Sequence, residues 1–363
     1  MSVVISIAEI TLGTLLIVFS LASAFRTVVL PRASFDPITR GVFLGFRRLL
    51  FAIALRSDRI DNESVLSVHA PLGLLATALA WALGIIVGFG LIFHGTSDLS
   101  LHDSLVLAGS SFTTLGFVAP SGGLHELLAI TAAILGLGVV AMLISYLPTI
   151  YGLFSRREVT VADVSIKSGE QTHGPDLMRN LSRGSDTTRI DDLWAEWGHW
   201  LIALGETHTS EPSLNFFRSP RGNRSWLLAA PAVLDAAILR NVVIDTPDSV
   251  RADMTYRAGV EAIVSIAHFF FVRPRGEDEH YTLLTREDFD AAVDELRRSG
   301  ASIVADEDHA WERFAQMRSE FEPHLLGICE LILPPPAPWE TDLLDRPRPK
   351  IPRRHLPDRD VVA

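Results

Sequence analysis

Long apolar runs fill the first 157 positions of this chain, and polar residues with apolar positions at helical spacing fill the rest. Val3 to Phe25 is an apolar stretch of about twenty residues, enough to cross a bilayer, interrupted by Glu9. Ala22-Ser23-Ala24 has the small residues of a signal cleavage site, but no basic residue precedes it and several follow, so residues 1–30 are read as a first span. Val68 to Phe93 and Leu124 to Tyr151 are a second and a third span. Between these two, Leu101 to Phe112 is amphipathic and too short to cross. Asp98 or Ser100 can cap its start. Residues 31–67 form an Arg-rich amphipathic linker, either lying on the inner face of the membrane or packed on the second domain.

Beyond Arg157 the pattern predicts a helical domain over residues 158–333. A loop-rich connector over 168–187 leads to helices over Asp191–Thr207 and Trp226–Asn241. A third opens at Thr246-Pro247 and runs to about Phe270. Thr285 to Arg298 begins with a capping box, and Glu307 to Leu331 is one last helix. Strand signals are nearly absent. Residues 334–363 hold eight of the chain's twenty prolines and read as a disordered tail. The expected fold is therefore an all-α membrane protein: three transmembrane helices, a re-entrant pore helix with its loop over 68–157, and an all-α bundle.

Charge gives the orientation. Seven of the arginines lie in 26–67 and Arg156-Arg157 follow the third span, whereas 94–123 contain neither Lys nor Arg. Arg-rich short loops stay cytoplasmic, so the N-terminus and the 94–123 loop are expected outside the cell membrane and the C-terminal domain in the cytoplasm. Net charge is −11, with +1 on residues 1–157 and −12 on residues 158–363, which argues against nucleic acid or an anionic lipid surface as a partner of the second domain. The single cysteine, Cys329, excludes an intrachain disulfide and reads as a buried thiol.

The stretch that carries chemistry is Thr113-Thr114-Leu115-Gly116-Phe117-Val118. It resembles the pore loop of potassium channels, whose filter reads Thr-Thr-Val-Gly-Tyr-Gly, and Asp103, Ser104, Ala108 and Ser111 fall on the pore helix of that pattern. The whole chain is similar to small bacterial proteins of the potassium channel family. The resemblance implies passive conduction of potassium or another monovalent cation by a homotetramer in membrane lipid, with no cofactor and no enzymatic activity. Thr114, Leu115 and Phe117 would offer oxygens, and Gly116 the φ > 0 that turns successive carbonyls one way. Val118 and Ala119 replace the pattern's second glycine and acid, so the outer end of the filter is expected to differ and to admit more sodium.

Gly136, Gly138 and Pro148 of the third span are candidate hinge and gate positions; close helix packing and a helix end are the competing readings. In the second domain, His208-Thr209-Ser210-Glu211-Pro212 and Asn215-Phe216-Phe217-Arg218-Ser219-Pro220 form the polar-aromatic cluster most like a site. A loop tied down by Arg218 and Glu211 is favoured over a ligand pocket. An unknown ligand of this domain stays open. His268 reads as a satisfied core histidine. Metal, nucleophile and phosphate-loop spacings are absent, so no enzyme is expected. A non-conducting receptor or scaffold with a degenerate pore is the alternative to a channel.

Overall fold

The structure, a computed structural model, describes residues 3–30, 36–39, 41–43, 45–46, 69–169, 172–182, 187–219, 224–274 and 282–332. The tail from 334 and most of the Arg-rich linker lie outside the described residues. Of the linker, 37–39, 41–43 and 45–46 are helical. No strand occurs among the described residues; Ile244 and Ile303 make an isolated antiparallel bridge.

Helices α1 (Val3–Val28), α2 (His69–Thr96) and α4 (Gly123–Ser168) are long and apolar enough to cross a membrane. α1 and α2 run antiparallel in close contact, because a Cβ on Gly13 would lie 2.4 Å from the Gly88 carbonyl oxygen. Small residues at such a crossing let two backbones approach where lipid supplies no hydrophobic drive. Polar side chains close the crossing at both ends. Glu9 meets His94 Nδ1 at 2.9 Å. At the other end Trp81 Nε1 donates to Ser23 Oγ at 2.7 Å, and Ser23 donates to Asp36 at 2.5 Å.

α3 (Leu101–Phe112) packs between α2 and α4, burying Leu107, Ala108 and Phe112 against Phe89 and Phe93 of α2 and Ala132 and Val139 of α4. α4 has 46 residues, about 69 Å of helix, more than twice the hydrocarbon thickness. It therefore leaves the membrane as a rod and becomes part of the second domain. Pro148 does not end it, contrary to the helix-end reading. The proline withdraws one hydrogen bond on an exposed side while Tyr146, Ile150 and Phe154 hold the opposite side in a buried cluster.

The second domain is a bundle around α7 (Trp226–Val242), every residue of which from Trp226 to Leu239 is buried. A helix apolar all round belongs inside. α6 (Thr187–Ser210) and α8 (Val250–Phe269) run parallel beside it, with Gly198 facing Thr255 and Gly205 facing Ala262. α9 (Arg286–Arg298) starts with the expected capping box of Thr285 and Asp288.

Three sequence expectations need correction here. The connector contains a helix, α5 (Gly174–Ser182), since Pro175 suits a first turn and Leu177, Met178 and Leu181 find the core. The cap of α8 is Ser249, whose hydroxyl accepts from Ala252 N at 3.2 Å; Thr246-Pro247 remains in the preceding turn. The expected last helix is two, α10 (Glu307–Ser319) and α11 (Glu322–Ile332), because Pro323 lacks an amide and disfavours helical backbone before it. Arg318 at that break is buried and bonds Asp235 of α7 at 2.6 Å and Glu322 at 3.0 Å. Burial raises the Asp235 pKa to about 6 against the opposing pull of Arg318. Cys329 is half-buried.

Candidate functional site: an interspan loop and a buried arginine joint

Ser100 caps α3. Its hydroxyl accepts from Asp103 N at 3.1 Å and donates to the Asp103 carboxylate at 2.6 Å. Asp103 is thus a capping residue of the first turn. Ser104 and Ala108 are fully buried on the face toward the spans, and Ser111 Oγ donates to Leu107 O at 2.8 Å.

The helix ends in a six-residue closed turn. Leu115 N donates to Ser110 O at 3.0 Å and Thr114 N to Ser111 O at 3.0 Å, a pattern that requires left-handed backbone at Thr114, where φ is 58°. Glycine or asparagine usually fills that position. A β-branched residue there costs about 1–2 kcal/mol, so local preference does not explain it. Gly116 has φ 67°, the sign the sequence reading assigned it, and a Cβ there would meet nothing within 4 Å. Val118 is not in that region; its amide turns back to Ser110 Oγ at 3.3 Å. Leu115 and Phe117 are exposed in the single chain.

Gly136 is the contact point between this turn and α4. A Cβ on it would lie 2.0 Å from the Phe112 carbonyl oxygen, so the residue serves close packing of helix end on helix. Gly138, two residues on, faces open space.

The polar-aromatic cluster of the second domain is reached from α4. Tyr146, Ile150, Phe154 and Arg157 fall on one stripe of that helix, facing the 3-10 turn Pro212–Phe216 at the end of α6. Arg157 is 5% exposed and makes four hydrogen bonds. Nη1 donates to Leu214 O at 2.9 Å and His208 Nε2 at 3.2 Å, Nη2 to Phe217 O at 2.7 Å and Nε to Glu158 at 3.0 Å, and Nη2 also lies in ion-pair range of the Glu158 carboxylate at 2.9 Å. The guanidinium also lies 5.2 Å from the Phe154 ring centroid. The His208 tautomer follows: Nδ1–H donates to Leu204 O at 2.9 Å, leaving Nε2 to accept from Arg157. Burial, then the adjacent guanidinium, push the His208 pKa well below the usual histidine range. Asn215 closes the turn on the His208 and Pro212 carbonyls, and Tyr146 OH donates to Glu211 at 2.8 Å.

The cluster is therefore a joint between α4 and the bundle, with Glu211 held by Tyr146 and Arg157 as the central tie. In the sequence Arg157 stands as a topology signal and as part of Ser155-Arg156-Arg157-Glu158, with no binding role assigned to it. The available clue was an arginine continuing the apolar spacing of Tyr146, Ile150 and Phe154. His268 is exposed, 5.7 Å from the His324 ring, and is not a core residue. Among the described residues no group of three His, Cys, Asp or Glu could hold a metal ion.

The fold and its three apolar helices define an all-α membrane protein. A 190-residue stretch, 49% of this chain, is 27% identical to the uncharacterized membrane protein YdjJ of Bacillus subtilis (strain 168) and covers 54% of that protein. The chain thus spans about half the length of the curated relative it matches. No protein-family model matches it. No solved structure matches it either.

Proposed function

We propose that the chain is a subunit of a cation pore, with potassium as the permeant ion, built by four copies around the loop Thr113–Val118. The observation that carries this reading is depth. Phe112 meets α4 at Gly136, thirteen residues or about 20 Å along a helix that starts at Gly123, so the non-helical turn after α3 falls well inside the thickness of the spans. Polar backbone at that depth is tolerated where it lines a cavity or is buried in protein, and in one copy this loop is exposed. Further copies would cover it and close a ring of oxygens, making α3 a re-entrant pore helix. The Arg distribution supports a cytoplasmic bundle and an external N-terminus.

One observation favours the non-conducting alternative: the amides of Thr113 to Gly116 close on the α3 carbonyls as in an ordinary helix-ending turn. Reconstitution separates the two. Wild-type protein in sealed vesicles should pass potassium, and Gly116→Ala, strained at φ 67°, should reduce the flux at least tenfold. Absence of flux from folded wild type, or a conducting monomer or dimer by mass in detergent, overturns the proposal.

A further inference from the structure

A second left-handed residue that is not glycine sits at the end of α8. Phe271 has φ 53° and closes α8 by the same device as Thr114: its amide donates to His268 O at 3.0 Å and Val272 N donates to Ala267 O at 2.9 Å. Val272 turns inward against Gly327, while Phe271 is turned out and left 83% exposed. A bulky aromatic held in costly backbone and in full contact with solvent has no folding rationale.

Its position supplies one. Because α8 runs parallel to α6, both helices end on the side where the 3-10 turn meets the spans. A chain of rings continues from there: Phe270 lies 6.0 Å from Phe216, and Phe216 5.7 Å from Phe43. Phe43 packs on Gly73 and Leu74 in the first turns of α2, a membrane span. Phe271 therefore follows directly on a chain of rings that reaches a membrane span, and Arg273 stands exposed two residues away.

We infer that Phe271 is a lipid anchor, which inserts into the headgroup and acyl boundary of the leaflet beside the bundle and fixes the bundle against the membrane. The domain carries a strong net negative charge, so the attraction is apolar and does not require anionic lipid. The inference stands on the spans and the bundle alone and is independent of ion conduction.

The test uses the full chain in phosphatidylcholine vesicles, with Cys329→Ser and a nitroxide on Phe271→Cys. The label should collide with oxygen more readily than with a water-soluble nickel chelate, whereas a label on exposed Met254→Cys, near the opposite end of α8, should show the reverse. Adding phosphatidylglycerol should not change the ratio. The emission that Phe271→Trp adds over the wild type, whose own seven tryptophans are subtracted, should be quenched at least twofold more by brominated phosphatidylcholine than by iodide. Equal nickel access at both labelled positions overturns the anchor. So does a label shielded from both reagents, which would mean that protein, from the tail or a second copy, covers Phe271.

Discussion

Removing the guanidinium of Arg157 while keeping its apolar stem, as in Arg157→Met, strips donors from three acceptors on the bundle side of the joint. These are the carbonyls of Leu214 and Phe217 and Nε2 of His208. Each buried acceptor left unpaired costs about 1–3 kcal/mol. Loss of the contact with the Phe154 ring removes about 1 kcal/mol more. Against this, the desolvation of a buried cation disappears, and water can reach part of the opened turn. The expected net loss is about 3 kcal/mol of local stability, which corresponds to roughly 150-fold faster exchange through local opening. Hydrogen exchange in detergent micelles reads it directly at the amides of Glu211, Leu214 and Phe217, whose own bonds go to Thr207, Glu211 and Leu214. Amides in α7 should keep their protection, because the core around Trp226 to Leu239 does not depend on the tie. Arg157→Lys should fall between, since one ammonium cannot address acceptors spread around a planar fork. Unchanged exchange at 211–217 in Arg157→Met would refute the claim that this residue holds the joint.

Two further outcomes follow from the packing and the protonation states. Gly136→Ala should lower the melting temperature in detergent, with a cost of about 1–3 kcal/mol, because its methyl would meet the Phe112 carbonyl at 2.0 Å, while Gly138→Ala should change stability by less than about 0.5 kcal/mol. For His208 the folded-state pKa is depressed, so below about pH 6.5 the unfolded chain takes up a proton that the folded one refuses, and stability falls as pH falls. His173, half-buried and with its pKa also lowered by desolvation, adds to the fall, whereas Asp235, with its pKa raised to about 6, opposes it by binding a proton in the folded state between about pH 6 and 4. The His208 contribution is isolated by His208→Gln: the stability difference between wild type and variant should shift by about 1 kcal/mol between pH 7 and pH 5.5, measured by chemical unfolding, and a constant difference contradicts the assignment.

The elements that sequence revealed are those in which one periodic signal dominates. α3 was read as Leu101 to Phe112 because its cap, its amphipathic length and the turn after it agree, and the capping box of α9 is a four-residue signature. What sequence did not show depends on tertiary override. Pro148 reads as a stop in isolation, but a helix pinned by Tyr146 on one side and Phe154 on the other runs through it. Arg157 reads as a charge in a loop because nothing local announces that its acceptors arrive from residues 208, 214 and 217.

Thr114 and Phe271 are the two non-glycine residues with left-handed backbone among the described residues. Both residues end a helix in backbone that their side chains disfavour, and both helix ends contact membrane-associated elements, α3 at Gly136 of α4 and α8 through Phe216 and Phe43 at α2. Strain of about 1–2 kcal/mol at each is affordable only where the surrounding contacts over-determine the turn, as the paired bonds to Ser110 and Ser111 and to Ala267 and His268 do. What the strain yields differs in the two places. At Thr114 it turns exposed backbone away from the end of α3, and at Phe271 it turns a ring outward from the bundle. Between the two lies α4, which touches the first turn at Gly136 and the second domain through Tyr146 and Arg157, ten and twenty-one residues further along the same continuous helix. Any force that moves the bundle relative to the membrane therefore acts on the helix that supports the Thr113–Val118 loop, through the buried tie at Arg157 and through Val161 and Val164, which the same helix buries in the bundle core.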